Sequence, residues 1–178
     1  YTHTLIIWVI VLLLTACGST KVNTAQSRFY QSFVTRFNVY HNGNEAYKEG
    51  LSAQEKSHKD NYMEIIPLFP VSKENTRSSG SGSFDKAIEK SQKAIKLHSI
   101  KQKPKKKAGR KLSEKDKLWY AKKEYNPYLH NAWMLMGKAQ FQKGEFLEAA
   151  STFSYITRLY SEDPKIVAEA RMRMAQCY

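Results

Sequence analysis

Acidic residues are few in this sequence: 16 Asp and Glu stand against 29 Lys and Arg, which leaves a formal net charge of +13. Cysteine is rarer still, with Cys17 and Cys177 the two in 178 residues and no Cys pair at metal-ligand spacing. The five histidines, His3, His41, His58, His98 and His130, are scattered and form no His-Glu-x-x-His. A Gly-x-Ser-x-Gly elbow and a phosphate loop are also missing. These gaps remove the patterned forms of zinc hydrolysis, serine nucleophile and nucleotide chemistry. The sequence therefore predicts no catalytic residue, no metal and no cofactor. Asp60 and Glu64, one helical turn apart, read as exposed charge, and His130 as a surface or packing residue.

What is present starts with an unbroken apolar run from Leu5 to Leu14, followed by Leu14-Thr15-Ala16-Cys17. The run is too short to span a bilayer, which takes about 20 residues, but it suits a signal-peptide core. Leu14, Thr15, Ala16 and Cys17 resemble a bacterial lipobox, in which the Cys thiol is acylated and the signal is cut just before it. The sequence therefore predicts a signal peptide over 1–16 and a lipidated tether over 17–26. A mature chain outside the cytoplasmic membrane makes nucleic acid and nucleotides poor partners. Gly18-Ser19-Thr20-Lys21 after the Cys carries no acidic residue, which resembles lipoproteins sorted to the outer membrane, facing the periplasm. Cys177 falls on an apolar helical stripe and reads as a small buried residue, the alternative being a disulfide to a segment beyond residue 178.

The organising stretch runs from Asn126 to Pro164. Trp133, Met136 and Gly137 are followed by Gly144, Phe146, Ala149 and Phe153, the spacing of a tetratricopeptide repeat. Each type has a physical task. Gly137 lets two helices approach at their crossing, Gly144 ends the first helix in a left-handed turn, and Ala149 sets a small residue against large Phe146 and Phe153. Asn126-Pro127 and Asp163-Pro164 read as equivalent helix starts, with the Asx residue as cap and Pro in the first turn. Apolar positions at three-and-four spacing predict one amphipathic helix over Leu129 to Ala139 and another over Phe146 to Tyr160. Ile166 to Tyr178 begins a further helix in a register 38 residues on, and the last repeat is expected to be incomplete at 178. One helical hairpin buries too little alone, so neighbours are required.

Upstream, Phe29 to Tyr40 is a helical stripe, Asn42-Gly43-Asn44 a break, and Glu45 to Lys59 a second, polar helix. Residues 27–61 are thus expected to be a helical hairpin, a degenerate repeat. Residues 62–83 combine an apolar segment interrupted by Pro67 and Pro70, expected to run extended over a helical surface or to serve as a docking strand, with a flexible Ser/Gly linker. Residues 84–100 form a repeat helix in which Gly82, Phe84 and Ala87 repeat the spacing of Gly144, Phe146 and Ala149. Lys101, Lys103, Lys105, Lys106, Lys107, Arg110 and Lys111 make a basic loop over 101–112 without apolar period. That loop is a solvated insertion, or a contact for a membrane surface, an anionic envelope polymer or an acidic partner. Tetratricopeptide repeats are then expected over 113–178, starting with a short helix capped by Ser113. Asn131, Lys138 and Gln142, polar positions not needed for packing, are candidate partner contacts on the groove.

The segments from Thr35 to Tyr47, Phe84 to Lys90, Asn131 to Phe141 and Glu148 to Phe153 carry a resemblance to a known family. They are similar to the N-terminal part of the PorW/SprE family, tetratricopeptide-repeat lipoproteins of the type IX secretion and gliding-motility apparatus of Bacteroidota. The resemblance implies an all-α antiparallel helix solenoid anchored in the outer membrane and facing the periplasm. Its partners would be the secretion channel and motor-associated envelope proteins, bound without catalysis. A repeat lipoprotein of outer-membrane protein assembly, or the N-terminal repeat region of an envelope enzyme such as a cell-wall hydrolase, is the alternative.

Overall fold

The computed structural model describes residues 22–105, 109 and 112–178. The apolar run, the lipobox with Cys17, and Lys106, Lys107, Arg110 and Lys111 of the basic run lie outside the described residues. The chain is all-α: among the described residues there are helices and connecting segments and no strand.

Helix α1 (Ala25–Val34) starts at Thr24, whose hydroxyl accepts from Ser27 N at 3.1 Å. It continues through a π-helical stretch, Thr35–Tyr40, into α2 (His41–Ser57). The break expected at Asn42-Gly43-Asn44 is absent, and 27–57 is one helical rod and not a hairpin. Gly43 serves close approach here and not a turn: a Cβ on it would lie 3.2 Å from the Leu135 side chain and from Lys90 Cβ. Fully buried Thr35 marks the π stretch and donates its hydroxyl hydrogen to Gln31 O at 2.6 Å.

Residues 58–80 connect α2 to the next long helix. A 3₁₀ turn at Pro70–Ser72 drives Val71 into the core, 2% exposed, beside Phe141 and Phe153, and Phe69 meets Phe141 edge-on at 5.6 Å. After α3 (Glu74–Ser78), Gly80 adopts a left-handed conformation and α4 (Ser81–His98) begins. The expected flexible Ser/Gly linker is therefore a tight turn plus the first turn of a helix. Its glycine is tied down by packing, since a Cβ on Gly80 would lie 2.6 Å from Gly50 O. Phe84, Ala87, Ser91 and Ala94 form the buried stripe of α4.

Helix α5 (Glu114–Ala121) has a reciprocal cap between Ser113 and Asp116 and buries none of its residues. Helix α6 (Leu129–Lys143) starts directly after Tyr128, which makes no side-chain cap bond, and not after Asn126. Asn126 is itself buried, with its Oδ1 accepting from Tyr128 N at 3.0 Å, so it folds the approach to the helix and does not cap it. Asp163 is a true cap, accepting from Lys165 N at 3.1 Å at the start of α8 (Pro164–Ala175). Between them, α7 (Phe146–Leu159) follows α6 after Gly144, whose φ is 82°.

Successive long helices pack on one another in the order α2, α4, α6, α7, α8, while α2 also touches α6 and α6 touches α8. Helices α2, α6 and α8 thus share one layer, and α4 and α7 the other. Central α6 is buried on more than one stripe, with Met134, Leu135 and Phe141 joining Leu129, Ala132, Met136 and Ala139. That departs from the one-sided amphipathicity expected for it, because it has neighbours in both layers.

Candidate functional site

On the α2–α6–α8 side, Lys138 and Gln142 border a small recess of about 80 Å³ with Tyr47, Phe69, Arg173 and Gln176. Phe69 comes from the 58–80 connection, so the chain itself fills part of this side. Burial holds the Lys138 ammonium below the ordinary lysine range, and the nearby Arg173 charge adds to the effect while Glu169 opposes it. The Gln142 carbonyl accepts from Gln54 Nε2 at 2.8 Å, and the same amide donates to Thr76 O at 3.3 Å. Asn131 is not part of the recess; its amide donates to Tyr128 O at 3.3 Å, within the first turn of α6. The three candidate contacts therefore divide between a half-covered recess and a helix end.

The larger opening lies in the other layer. Between α4 and α7 is a cavity of about 420 Å³, floored by Trp133 of α6 and walled by Ile95, Tyr155 and Leu159. The Trp133 and Tyr155 rings are 4.8 Å apart. Trp133 is half-buried, a floor exposed to this cavity rather than a sealed core residue. Exposed Lys96 and Lys101 stand at its rim with Ser99 and Gln102, and among the described residues no carboxylate lines it. Lys103 and Lys105 continue the basic run alongside.

The rim segment 99–102 is held by a buried carboxylate that the sequence did not single out. Glu124, 4% exposed, accepts through Oε1 from Ile100 N at 2.8 Å, Tyr125 N at 3.0 Å and Asn126 N at 2.8 Å. The Ser99 hydroxyl donates to its other oxygen. Asn126 extends the clasp: its amide donates to His98 O at 2.9 Å and to Thr35 Oγ1 at 3.0 Å. From the other side, Asn23 Nδ2 donates to Gln102 O at 2.7 Å. A charge buried this deeply is stable only when its lone pairs are met, and here backbone N–H groups meet them. The wall of the cavity is thus pre-formed.

The packing residues sit as follows. Phe84, Ala87, Ala149 and Phe153 are fully buried, Met136 nearly so, and Phe146 half-buried against Phe141 at 5.3 Å. A Cβ on Gly137 would come within 2.6 Å of the Phe153 ring, and one on Gly50 within 2.6 Å of the Phe84 ring. Phe84 therefore occupies the place of Phe153 and not that of Phe146. Gly82 meets nothing within 4 Å, and the left-handed residue before α4 is Gly80, so Gly82 does not take the part of Gly144. Arg77 links the connection to the second hairpin, its side chain against Gly144, its Nε donating to Val71 O at 2.8 Å and its guanidinium 5.4 Å above Phe146.

Two apolar faces stay open: Phe29, Phe33 and Phe37, ring on ring along α1 and the π stretch, and Tyr62, Met63, Ile65 and Leu68 in the connection. Among the described residues no helix is long and apolar enough to cross a membrane, and no three His, Cys, Asp or Glu converge as metal ligands. Cys177 is half-buried on the last turn, its thiol near Arg173 O and its pKa raised by burial. Comparison with protein-family models and with curated proteins finds no matching family and no matching relative.

Proposed function

We propose that this chain is the N-terminal part of a scaffold of tetratricopeptide type that works by binding other proteins. It would be held at the outer membrane by a lipid on Cys17 and face the periplasm, within the type IX secretion and gliding-motility machinery to which the PorW/SprE family belongs. The observation that carries the repeat reading is the recurrence of one contact, a helix glycine pressed under a Phe ring of the other layer, at Gly50–Phe84 and Gly137–Phe153. It supports two stacked helical pairs, and α8 supplies the start of a third. A pre-formed aromatic cavity with a cationic rim supports adhesion over catalysis.

The test is a crosslinked pull-down of the lipidated protein from its native envelope, alongside a Cys17→Ala form. Recovery of the secretion channel and motor-associated proteins, weakened in the Cys17→Ala form, is expected. Recovery of outer-membrane assembly factors alone, or of cell-wall polymer alone, would replace this reading with the assembly lipoprotein or the envelope enzyme.

A further inference from the structure

We infer that the cavity between α4 and α7 is a docking site for an acidic segment of a partner protein, one that inserts an apolar side chain against Trp133 and Tyr155 and sets its carboxylates on Lys96 and Lys101. This deepens the scaffold reading and rests on it, but not on the choice of secretion apparatus.

Three features select that occupant. The floor and walls are apolar and aromatic, and the cavity volume of about 420 Å³ falls in the range of pockets that bury a specific group. The polar rim is of one sign: among the described residues Lys96 and Lys101 form no ion pair, Lys103 and Lys105 lie next in sequence, and no carboxylate lines the opening. Exposed Lys123 donates to Arg158 O at 2.8 Å, next in sequence to wall residue Leu159. An apolar anchor ringed by charge is the anatomy of a protein hot spot, where the centre supplies the binding energy and the rim selects partners and speeds encounter. Pre-organisation is the third feature. Glu124 and Asn126 fix residues 98–100 from behind, so little ordering entropy is lost when the rim is engaged. Glu124 is spent entirely on that clasp and leaves the opening positive.

The experiment measures fluorescence polarisation of a fluorescein-labelled peptide of Glu and Asp carrying a central Phe, and of the same peptide with Ala replacing Phe, against the full chain. The Phe peptide should bind about tenfold tighter than the Ala peptide. Lys96→Glu with Lys101→Glu should weaken the Phe peptide by about tenfold or more, whereas Lys96→Arg with Lys101→Arg should hold it within about twofold. Lys103→Glu with Lys105→Glu, outside the cavity, should cost about two- to threefold through steering alone. Circular dichroism of each variant separates lost binding from lost folding; these lysines are exposed, so the fold should stand. Equal binding of the two peptides would overturn the inference, as would an equal loss from Lys103 and Lys105, since either result makes the basic run a general polyanion surface. Binding to phosphatidylglycerol vesicles with no binding to the peptide would overturn it in favour of a lipid surface. A chain that binds the peptide but recovers no secretion component loses the apparatus and keeps the site; the reverse result loses the site alone.

Discussion

The two helical pairs of this chain close the same contact through very different connections. In the first, α2 and α4 are joined by residues 58–80, which carry a 3₁₀ turn and a short helix; in the second, α6 and α7 are joined by Gly144 and Glu145 alone. Yet Gly50 lies under Phe84 as Gly137 lies under Phe153, to the same 2.6 Å for an added Cβ. The crossing is therefore set by a flat ring seated on a side chain that is missing, and the connection is free to vary. Loop closure is cheap in this respect, because its entropic cost grows only with the logarithm of length. The longer connection is also put to use. Val71 and Arg77 tie it to the second pair and Thr76 O accepts from Gln54 of the first, so the insertion couples the units it separates.

Truncating the rings should have the largest effect and tests the equivalence directly. Phe84→Ala and Phe153→Ala should each cost about 3–5 kcal/mol in urea unfolding, since both rings are fully buried. Gly50→Ala and Gly137→Ala should cost about 1–3 kcal/mol by overpacking. Each Gly→Ala should be cheaper once its ring has been truncated, which a double-mutant cycle reads as coupling. Strong coupling at Gly137–Phe153 with none at Gly50–Phe84 would break the comparison.

Much of the second pair was legible from residue spacing, and much less of the first. Gly144 as terminator, Asp163 as cap and the stripe of α7, like that of α4 in the first pair, follow from local periodicity and cap chemistry, which act over one or two turns. Gly43 and the Ser78–Ser83 stretch misled because glycine was read as a turn or linker, while Gly43, Gly50 and Gly80 are used for close approach by partners distant in sequence. The clasp was missed for a related reason. Glu124 reaches Ile100, and Asn126 reaches Thr35 across 91 positions, so neither is visible as a spacing. The one cue available was a Glu-x-Asn ahead of Pro127 at the head of the helix, and it pointed to a cap.

Removing the clasp should have the next largest effect. Glu124→Ala leaves the N–H groups of Ile100 and Asn126 without their acceptor and Tyr125 N–H with Ile100 O alone, a loss of about 3 kcal/mol. Because the clasp joins the C-terminal end of α4 to the chain entering α6, hydrogen exchange should rise in residues 98–102 and 124–126 of Glu124→Ala. Protection in α7 should hold. A uniform rise would mean that the clasp supports both pairs alike.

The turn glycines sharpen the contrast further. Gly80 and Gly144 have φ of 78° and 82°, where any other residue costs about 1–2 kcal/mol. A Cβ on Gly144 would press on Arg77 Cδ, the flexible part of a long side chain, whereas one on Gly80 would meet the Gly50 backbone. Gly144→Ala should therefore stay within that range and Gly80→Ala exceed it. Equal costs would show that the backbone of the long connection yields as easily as a side chain.

The smallest effect is expected from pH, and it too separates the pairs. Burial holds the His98 imidazole below its ordinary value, with the Lys93 charge adding to the effect. Burial also lowers His130, partly offset by its hydrogen bond to the Pro127 backbone and by the Asp163 and Glu169 charges. Neutral His98 can donate from Nδ1 to Gln31 Oε1, 2.5 Å away, which joins α4 to α1. A depressed histidine takes up its proton more readily in the unfolded chain, so unfolding gains protons and stability rises with pH. Both contributions are thus fully present above about pH 6.5 and are lost progressively as pH falls from there toward each folded value. Urea midpoints followed downward from pH 7.5 should decline below pH 6.5, about in proportion to the protons taken up. His98→Asn should flatten that decline through the first pair, and His130→Asn through the second. A decline left unchanged by both substitutions would place the titration on other groups.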